Sequence, residues 1–372
     1  MSLSVASLHV YPVKSCGGVT VEQGVITPTG FRYDRNWVVI NEKGRFVTQR
    51  QKPEMALVSV SLQPQALLED ASAEEGQYPD ATLVLQAPGM PTLQVPLNPG
   101  RRQGPSTKVT VWEWTGLGAD EGAEAAAWWS QYLGHEARLV RYAGEPGQPG
   151  EIKAGKEDST RRHVDPEWTE AGEETAFSDG FPFLVANEAS LTDLNAHLPP
   201  DEGPLKLNRF RPNVVVAGAP AWAEDGWLRL RLGASATLHL VKPCDRCAVT
   251  TTEQETGVVG YEPLRTLRVV RSGKVLGWSE AVPCFKGAVF FAWNAVSEGP
   301  GGSIRRGDEV EVVQAREGPA VPQKVDQPAP AQAQAQPQAQ RELGAGLTTL
   351  QKVALLLAAI LVRYLFQYYA AK

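Results

Sequence analysis

The chain has 372 residues, of which 42% are hydrophobic and 21% charged, a balance typical of globular proteins and sufficient for two domains of ordinary size. Its formal net charge of −6 provides no overall basic field, which argues against nucleic-acid binding. Four cysteines, at positions 16, 244, 247 and 284, are too few and too unevenly spaced for a disulfide framework, so we expect folding in a reducing compartment.

The first predicted domain covers residues 1–142 and is rich in strands. SLHVYPVK predicts a strand rather than a signal peptide, and WVVINEKGRFVTQ predicts a hairpin in which Gly44 can take a positive φ. ATLVLQAPGMPTLQVPL predicts two strands separated by a Pro-Gly turn. EGAEAAAWWSQYLG predicts a helix that ends at Gly134, and HEARLVRY predicts a closing strand.

A second domain is predicted over residues 177–316, after a Gly/Pro-rich connecting segment over residues 143–176. NEASLTDLNAHL predicts a helix capped by Asn187 or Ser190, and strands are predicted at NVVVAG, LRLRLG, ATLHLVK, LRVVR and AVFFAW. Few helices among many short strands indicate an α+β, β-rich fold of barrel-like domains rather than a doubly wound sheet. GxGxxG and Walker motifs are absent from the sequence.

The C-terminal part of the sequence changes composition abruptly. Residues 317–346 are rich in Pro, Ala and Gln and predict a linker, and residues 347–372 contain VALLLAAILVRYLFQYYAA. As a helix this run would be about 28 Å long, close to the thickness of a bilayer core. We therefore expect a C-terminal membrane-anchor helix. A partner-binding amphipathic helix and a helix packed on the body are the alternatives.

The segment VKPCDRCAVTTTEQETG places Cys244 and Cys247 three residues apart. A zinc clip would need further ligands, for which only His239 and Cys284 are candidates. A redox dithiol would need a helix after the motif, whereas AVTTT is typical of a strand. A buried inert pair and a single metal-binding thiolate are the remaining interpretations.

Polar residues at the ends of predicted strands favour the thiolate interpretation. YPVKSCGG places Lys14 and Ser15 beside two glycines, and YDRNW places Arg35 before a strand. NRFRPNVVV similarly places Arg211 and Asn213 before a strand. Such groups can bind an anionic, heteroatom-rich ligand, although a solvated loop lysine and ion pairs at the rim are equally ordinary explanations.

Five motifs, in order, resemble those of one family: VYPVKSC, YDRNWVVI…G…VTQRQKPEMALV, FSDGFPFLVANEASLTDLN, RFRPNVVV and PCDRCAVTTTEQETG. Over about residues 5–315 the chain resembles MOSC-domain proteins that carry an N-terminal MOSC-type β-barrel domain, and among them the mitochondrial amidoxime-reducing component family. The resemblance implies a molybdenum cofactor, Mo-molybdopterin, with one cysteine of the chain as a sulfur ligand of the metal. The matching position is Cys247, and Cys244 would have a structural role.

The resemblance also implies the residues that surround this cofactor. The implied cofactor-binding residues are Lys14, Ser15, Arg35, Asp179, Arg211, Asn213, Asp245, Arg246 and Cys247. Of these, Cys247 is the metal ligand, and Asp179 is a candidate proton donor whose role could instead be purely structural. Relatives often have Ser where this chain has Phe181, so a hydrogen bond at that position is not expected here.

The activity implied is reduction of N-hydroxylated compounds, such as amidoximes, hydroxylamines and N-hydroxy bases, to the amine or amidine plus water, with nitrite reduction to nitric oxide as a further reaction. Electrons would come from cytochrome b5 and its NADH-dependent reductase. The alternatives are MOSC sulfur transfer and a molybdenum cofactor carrier. With a C-terminal anchor, we expect the body to face the cytosol on the mitochondrial outer membrane or the endoplasmic reticulum.

Overall fold

A computed structural model describes residues 2–73, 77–97, 106–144, 160–169, 172–299 and 301–316. Within them the chain forms a β-rich α+β fold. The strands are β1 (Ser4–Val10), β2 (Val19–Val21), β3 (Gln23–Thr27), β4 (Gly30–Phe31), β5 (Trp37–Asn41), β6 (Ser59–Gln63), β7 (Thr82–Gln86), β8 (Leu93–Pro96), β9 (Ser106–Val111), β10 (Trp114–Asp120), β11 (Ala137–Tyr142), β12 (Phe183–Asn187), β13 (Val214–Ala217), β14 (Trp227–Leu232), β15 (Ala236–Asp245), β16 (Phe290–Ser297), β17 (Ser303–Arg305) and β18 (Val310–Ala315). The α-helices are α1 (Ala66–Glu69), α2 (Ala123–Leu133), α3 (Glu188–Ala196), α4 (Leu264–Val270) and α5 (Trp278–Ala281).

One large sheet contains strands from both predicted domains. Its order is β18-β14-β15-β16-β12-β13-β1-β2, and its strands are antiparallel except for the parallel pair β12 and β13. The register pairs Leu8 of β1 with Val214 of β13. The N-terminal strand therefore runs beside a strand that follows it by more than 200 residues, and this pairing brings distant loops together.

Three smaller sheets complete the described structure, in the orders β5-β11-β10-β9, β17-β3-β4 and β6-β7-β8. A single hydrophobic cluster extends through both predicted domains, because it contains Trp37 and Leu85 as well as Leu230 and Trp293, all nearly inaccessible to solvent. Neither packing nor strand pairing divides the chain at residues 142 or 177. The predicted domain boundaries at these residues therefore remain predictions.

Two predicted helices are confirmed, and each ends or begins with the expected capping residue. Helix α2 is followed by Gly134 at φ +72°, a left-handed conformation that glycine adopts without strain. Helix α3 is preceded by Asn187, whose side chain accepts a hydrogen bond from the Ala189 N–H at 3.1 Å. Capping by Asn187 rather than Ser190 resolves the alternative that the sequence left open.

Two strand predictions are wrong. LRVVR lies in helix α4 because Leu264 and Leu267 pack inward at a spacing of three residues, while Val269 is exposed. The AVTTT segment after Cys247 forms a short 3-10 turn, Ala248–Thr251, rather than a strand. The β-branched residues of both segments suggested strands, and local packing overrides that preference.

The hairpin predicted around Gly44 is only partly present. Gly44 adopts φ +71°, as expected, and the Val47 N–H donates to the Val39 carbonyl at 2.8 Å. However, the strand that pairs along β5 is β11, which follows it by about a hundred residues. The return segment contributes Thr48 and Arg50 to a cavity wall instead of forming a strand.

The predicted linker (317–346) and anchor helix (347–372) lie outside the described residues. In the part of the chain that the structure describes, no helix is both long and apolar enough to cross a membrane.

Candidate functional site

One cavity, about 870 Å³ in volume, brings together every residue that the sequence resemblance implied. Its walls include Lys14, Ser15, Arg35, Asp179, Arg211, Asn213, Asp245, Arg246 and Cys247. Seven Lys and Arg side chains but only four carboxylates line it, in a chain whose net charge is −6. The cavity is therefore locally positive and suited to an anionic ligand.

Strand pairing explains why residues so distant in sequence meet here. The His9 N–H donates to the Asn213 carbonyl at 2.9 Å, which joins the end of β1 to the start of β13. The Asn213 side-chain oxygen accepts hydrogen bonds from Leu184 N–H at 3.1 Å and Arg35 Nη1 at 3.2 Å. Asn213 is 1% exposed, so it connects three segments inside the protein and orients Arg35.

Two guanidinium groups flank a single aromatic ring. Arg35 and Arg211 each lie 4.3 Å from the centre of the Tyr11 ring. Arg35 forms an ion pair of 2.5 Å with Asp34, which also accepts from the Tyr11 N–H at 2.8 Å. Burial, reinforced by Arg35, lowers the pKa of Arg211 to about 10, so Arg211 remains a cation at neutral pH.

Arg211 and Arg246 each have an unused donor. Arg211 Nη1 donates to the Cys16 carbonyl at 2.6 Å, but its Nη2 is buried without a hydrogen-bond partner in the described structure. Arg246 donates to the Phe210 carbonyl at 2.8 Å, and its Nε is likewise buried and unpaired there. Buried unpaired donors are costly, and a ligand anion that reached them would relieve that cost.

Lys14 and Asp179 form an ion pair of 2.6 Å in the cavity wall. Lys14 also donates to the Phe177 carbonyl at 2.8 Å, and Trp112 Nε1 donates to Asp179 at 3.2 Å. Burial lowers the pKa of Lys14 to about 8, although Asp179 opposes this shift. Partial desolvation in the cavity wall would raise the pKa of Asp179, whose side chain is still 70% exposed, but Lys14 and Trp112 more than compensate and hold it below its ordinary value.

Arg162, from the predicted connecting segment, supports the loop that carries Asp179. Its guanidinium is buried and donates to the carbonyls of Ala176 at 3.0 Å, Asp179 at 2.7 Å, and Ser178. Arg162 thus fixes the backbone from residue 176 to residue 179. The segment at 160–169 is therefore part of the site and not merely a connection.

Backbone strain is concentrated at the cavity. Ser15, Arg35, Trp112 and Arg211 have φ values of 69°, 50°, 54° and 58°, in the left-handed region that residues other than glycine seldom adopt. All four line the cavity. Such strain persists only where the surroundings enforce it, and its concentration here is consistent with a functional site.

The two cysteines of the CxxC motif have different surroundings. Cys247 is exposed and lies at the start of the 3-10 turn Ala248–Thr251, in the cavity wall. Cys244 is partly buried, and its Sγ accepts a hydrogen bond from Arg246 Nη1 at 2.8 Å. Burial raises the pKa of the Cys244 thiol despite Arg246. The cation of the motif, Arg246, therefore contacts Cys244 and not Cys247.

Asp245 has a partner of its own at the same end of the cavity. Lys242 lies 3.4 Å from the Asp245 carboxylate and packs 5.8 Å from the ring centre of Trp168. Among the described residues, no three His, Cys, Asp or Glu side chains cluster as metal ligands.

Sequence reasoning missed several cavity residues, among them Arg50, Trp112, Arg162 and Lys242. Arg50 occurs in VTQRQKPEMALV, a segment that carries the resemblance but from which no site residue was predicted, and its guanidinium lies 4.4 Å from the centre of the Trp112 ring. Lys242 directly precedes the CxxC motif. Trp112 and Arg162 lie in segments without a recognisable pattern, and only the tertiary structure reveals their position. Phe181 does line the cavity but offers no hydroxyl.

Comparison with known proteins adds family-level information. Residues 2–136 match the MOSC N-terminal beta barrel domain, and residues 172–311 match the MOSC domain. Mitochondrial amidoxime-reducing component 1 of Mus musculus is 36% identical over 315 residues, which cover 82% of this chain and 81% of that protein. Mitochondrial amidoxime reducing component 2 of Bos taurus and that of Homo sapiens are each 35% identical, over 72% of both chains compared.

Proposed function

The chain belongs to the MOSC-domain family of the mitochondrial amidoxime-reducing components, and on that premise we propose that it is a molybdenum-cofactor-dependent oxidoreductase that reduces N-hydroxylated compounds. The observation that carries the proposal is the convergence of nine implied cofactor residues on one positively charged cavity that also contains the exposed Cys247. Relatives named for amidoxime reduction support the same reaction class.

The cavity fits an anionic pterin cofactor in its donor chemistry. Lys14, Ser15, Arg35 and Arg211 would hold the phosphate end, where the unpaired Nη2 of Arg211 is available. Cys247 would supply the single thiolate of the chain to the metal, with Asp245 and Arg246 beside it. When bound, the cofactor supplies a metal centre that can change its oxidation state by two.

The chain's own residues position the cofactor and keep the cavity positive. Arg35 is oriented by Asp34 and Asn213, and Arg246 by the Phe210 carbonyl, so neither cation has to reorganise when an anion binds. Asp179 keeps its carboxylate ionised because its pKa is held low by Lys14. This favours a positioning role for Asp179, which holds Lys14 and Trp112, over the role of proton donor.

The proposed reaction is balanced by two electrons and two protons: an N–OH group becomes N–H, and the oxygen leaves as water. The sequence has no flavin, haem or iron–sulfur motif, so a protein donor is needed, for which we propose cytochrome b5 and its NADH-dependent reductase. Reduction of nitrite to nitric oxide is a further proposed reaction of the same site.

For localisation, we propose a mitochondrial outer membrane protein with its body in the cytosol, with the endoplasmic reticulum as the alternative. The mitochondrial names of the relatives support this, as does the apolar sequence within residues 347–372. Membrane fractionation of cells that express the chain with and without those residues would test it.

The direct test of function uses the purified full chain, expressed in cells that synthesise the cofactor. We expect near-stoichiometric molybdenum and reduction of benzamidoxime to benzamidine driven by reduced methyl viologen. Bound molybdenum without reduction would instead support the carrier alternative. Protein with little molybdenum but a persulfide on Cys247 would support sulfur transfer.

A further inference from the structure

Exposed apolar side chains are concentrated in one short part of the chain. Of the six large hydrophobic side chains that are exposed in the described structure, five lie between residues 258 and 275. Tyr261 is 79% exposed, Val269 71% and Val258 64%. Scattered exposed hydrophobic residues need no explanation, but such a concentration is typical of an interaction surface.

The same stretch carries cations without partners. Arg265, Arg268, Lys274 and Lys286 are exposed, and none of their side chains makes a hydrogen bond or ion pair with the described residues. The only exposed carboxylate between residues 258 and 286 is Glu280. We call the exposed side chains of residues 258–269 the basic apolar face.

Some exposed cations elsewhere in the described structure are paired with carboxylates. Lys206 contacts Glu255 at 2.9 Å, and Arg229 contacts Glu298 at 2.8 Å. The basic apolar face is thus locally positive in a chain of net charge −6. Its charges are available to a partner, and complementary negative charge on that partner would accelerate association and fix its orientation.

Local geometry places the aromatic and basic groups side by side. The Arg265 N–H donates to the Tyr261 carbonyl at 3.2 Å, which ties the Tyr261 backbone to the first turn of α4. Within α4, Arg265 and Arg268 have the spacing of neighbours on one side of a helix. Leu267, on the other side, is 0% exposed. This anchoring makes the face a fixed platform.

The face is joined directly to the loop that carries Cys247. Val259 forms a β-bridge with Thr252, and the Gly260 N–H donates to the Thr251 carbonyl at 3.0 Å. Thr251 ends the 3-10 turn that begins immediately after Cys247. With a rise of about 2 Å per residue in a 3-10 turn, Thr251, whose carbonyl accepts from Gly260, lies roughly 8 Å from Cys247 along the axis of the turn.

We propose that the basic apolar face is the docking surface for an acidic electron-carrier protein. The inference rests on the proposed function, because that reaction consumes two electrons which must reach the Cys247 end of the cavity. An anionic membrane is a poorer fit: α4 has only seven residues and its inner side is packed in the protein, which leaves only side-chain tips for lipid.

The test is the dissociation constant of the full chain for cytochrome b5, measured by titration at low ionic strength. For the double variant Arg265→Glu and Arg268→Glu we expect binding at least about tenfold weaker, with a shallower salt dependence, because two attractive contacts become repulsive. Tyr261→Ser should also weaken binding, since exposed aromatic residues are frequent anchors of interfaces. Both sites are exposed, so folding should be preserved, which thermal unfolding would verify.

Lys43→Glu is the matched control, because Lys43 is also exposed and its side chain has no partner in the described structure. Its effect on cytochrome b5 binding should be small. Wild-type affinity that is undetectable, or equal in wild type and double variant, would overturn the proposal. The proposal would also be overturned if the double variant lost binding to phosphatidylserine vesicles but kept the wild-type affinity for cytochrome b5. That result would assign the face to a membrane.

The same preparation separates this inference from the proposed function. Turnover driven by methyl viologen needs no docked protein. If the wild type showed no such turnover but still bound cytochrome b5 through the basic apolar face, the proposed reaction would be contradicted and the docking surface would still be supported.

Discussion

At the scale of single residues, the arrangement around Tyr11 explains why the cavity should hold an anion. Arg35 and Arg211 lie on the same ring, and within the described residues only one carboxylate, Asp34, pairs with them. Burying two cations near each other is costly unless opposite charge and hydrogen bonds compensate. The remaining positive charge and the unpaired Nη2 of Arg211 would be compensated by a bound phosphate.

Lys14 provides a test of this electrostatic account through pH. Because burial lowers its pKa to about 8, its ammonium group is present below that pH and is lost as the pH rises through it. Sulfate keeps the same charge over this range. We therefore expect sulfate binding by the cofactor-free chain to weaken by up to about tenfold between pH 7 and pH 9. Calorimetric titration would measure this.

Lys14→Arg is the control for that experiment, because a guanidinium remains charged throughout the range. Its sulfate affinity should be nearly constant between pH 7 and pH 9. A parallel decline in the variant and the wild type would show that some group other than Lys14 causes the pH dependence.

At the scale of structural elements, the cavity depends on loops held by buried side chains. Arg162 connects three successive parts of the segment from Ala176 to Asp179, and strand pairing alone does not reach this segment. The segment carries Asp179, which in turn holds Lys14. Arg162, whose guanidinium binds backbone carbonyls, therefore helps to determine where a ligand-binding cation lies.

Arg162→Met should destabilise the fold, because three carbonyl oxygens, two of them in buried hydrogen bonds, would lose a charged donor. We expect the free energy of unfolding in urea to fall by about 2–3 kcal/mol. Arg161→Met changes a neighbour that is 52% exposed and paired with Glu174, and it should cost less than about 1 kcal/mol. Equal effects of the two substitutions would contradict the role given to Arg162.

Element prediction succeeded where the pattern was long and failed where it was short. Helix α2 and the pair β7 and β8 have extended patterns with clear end signals, namely Gly134 and the Pro-Gly turn. LRVVR and AVTTT are five-residue runs of β-branched residues, for which helix and strand cannot be separated by periodicity. Their conformations are decided by what packs beneath them, such as Leu267 in α4.

At the scale of the whole molecule, the sequence predicted which residues belong to the site but not how they are arranged in space. The motifs indicated that Lys14, Arg35, Arg211 and Cys247 act together, yet only the β1–β13 pairing and the large sheet show how they meet. Arg162 and Trp112 carry no sequence pattern, because Arg162 donates to carbonyls 14 to 17 residues further along the chain and Trp112 donates to a carboxylate 67 residues further along. Long-range contacts of this kind are not encoded in any local window.

The molecule also has two distinct positively charged regions, although the net charge of the chain is negative. The cavity would bind the anionic cofactor and the basic apolar face would bind an acidic donor, and the turn Ala248–Thr251 connects them through Cys247. Electrons arriving at the face would thus enter at the metal end of the cavity. This arrangement accounts for a function in which the cofactor, the donor and the substrate all converge near one cysteine.

The central claim is that the two cysteines of the motif are unequal, with Cys247 as the only ligand that the chain gives to the metal. The measurement that tests it most directly is benzamidoxime turnover with methyl viologen, together with molybdenum content, for Cys247→Ser and Cys244→Ser. We predict that Cys247→Ser has no turnover above background. Cys244→Ser should keep a measurable fraction, because serine can still accept the hydrogen bond from Arg246. Turnover that survives in Cys247→Ser and vanishes in Cys244→Ser would contradict the assignment.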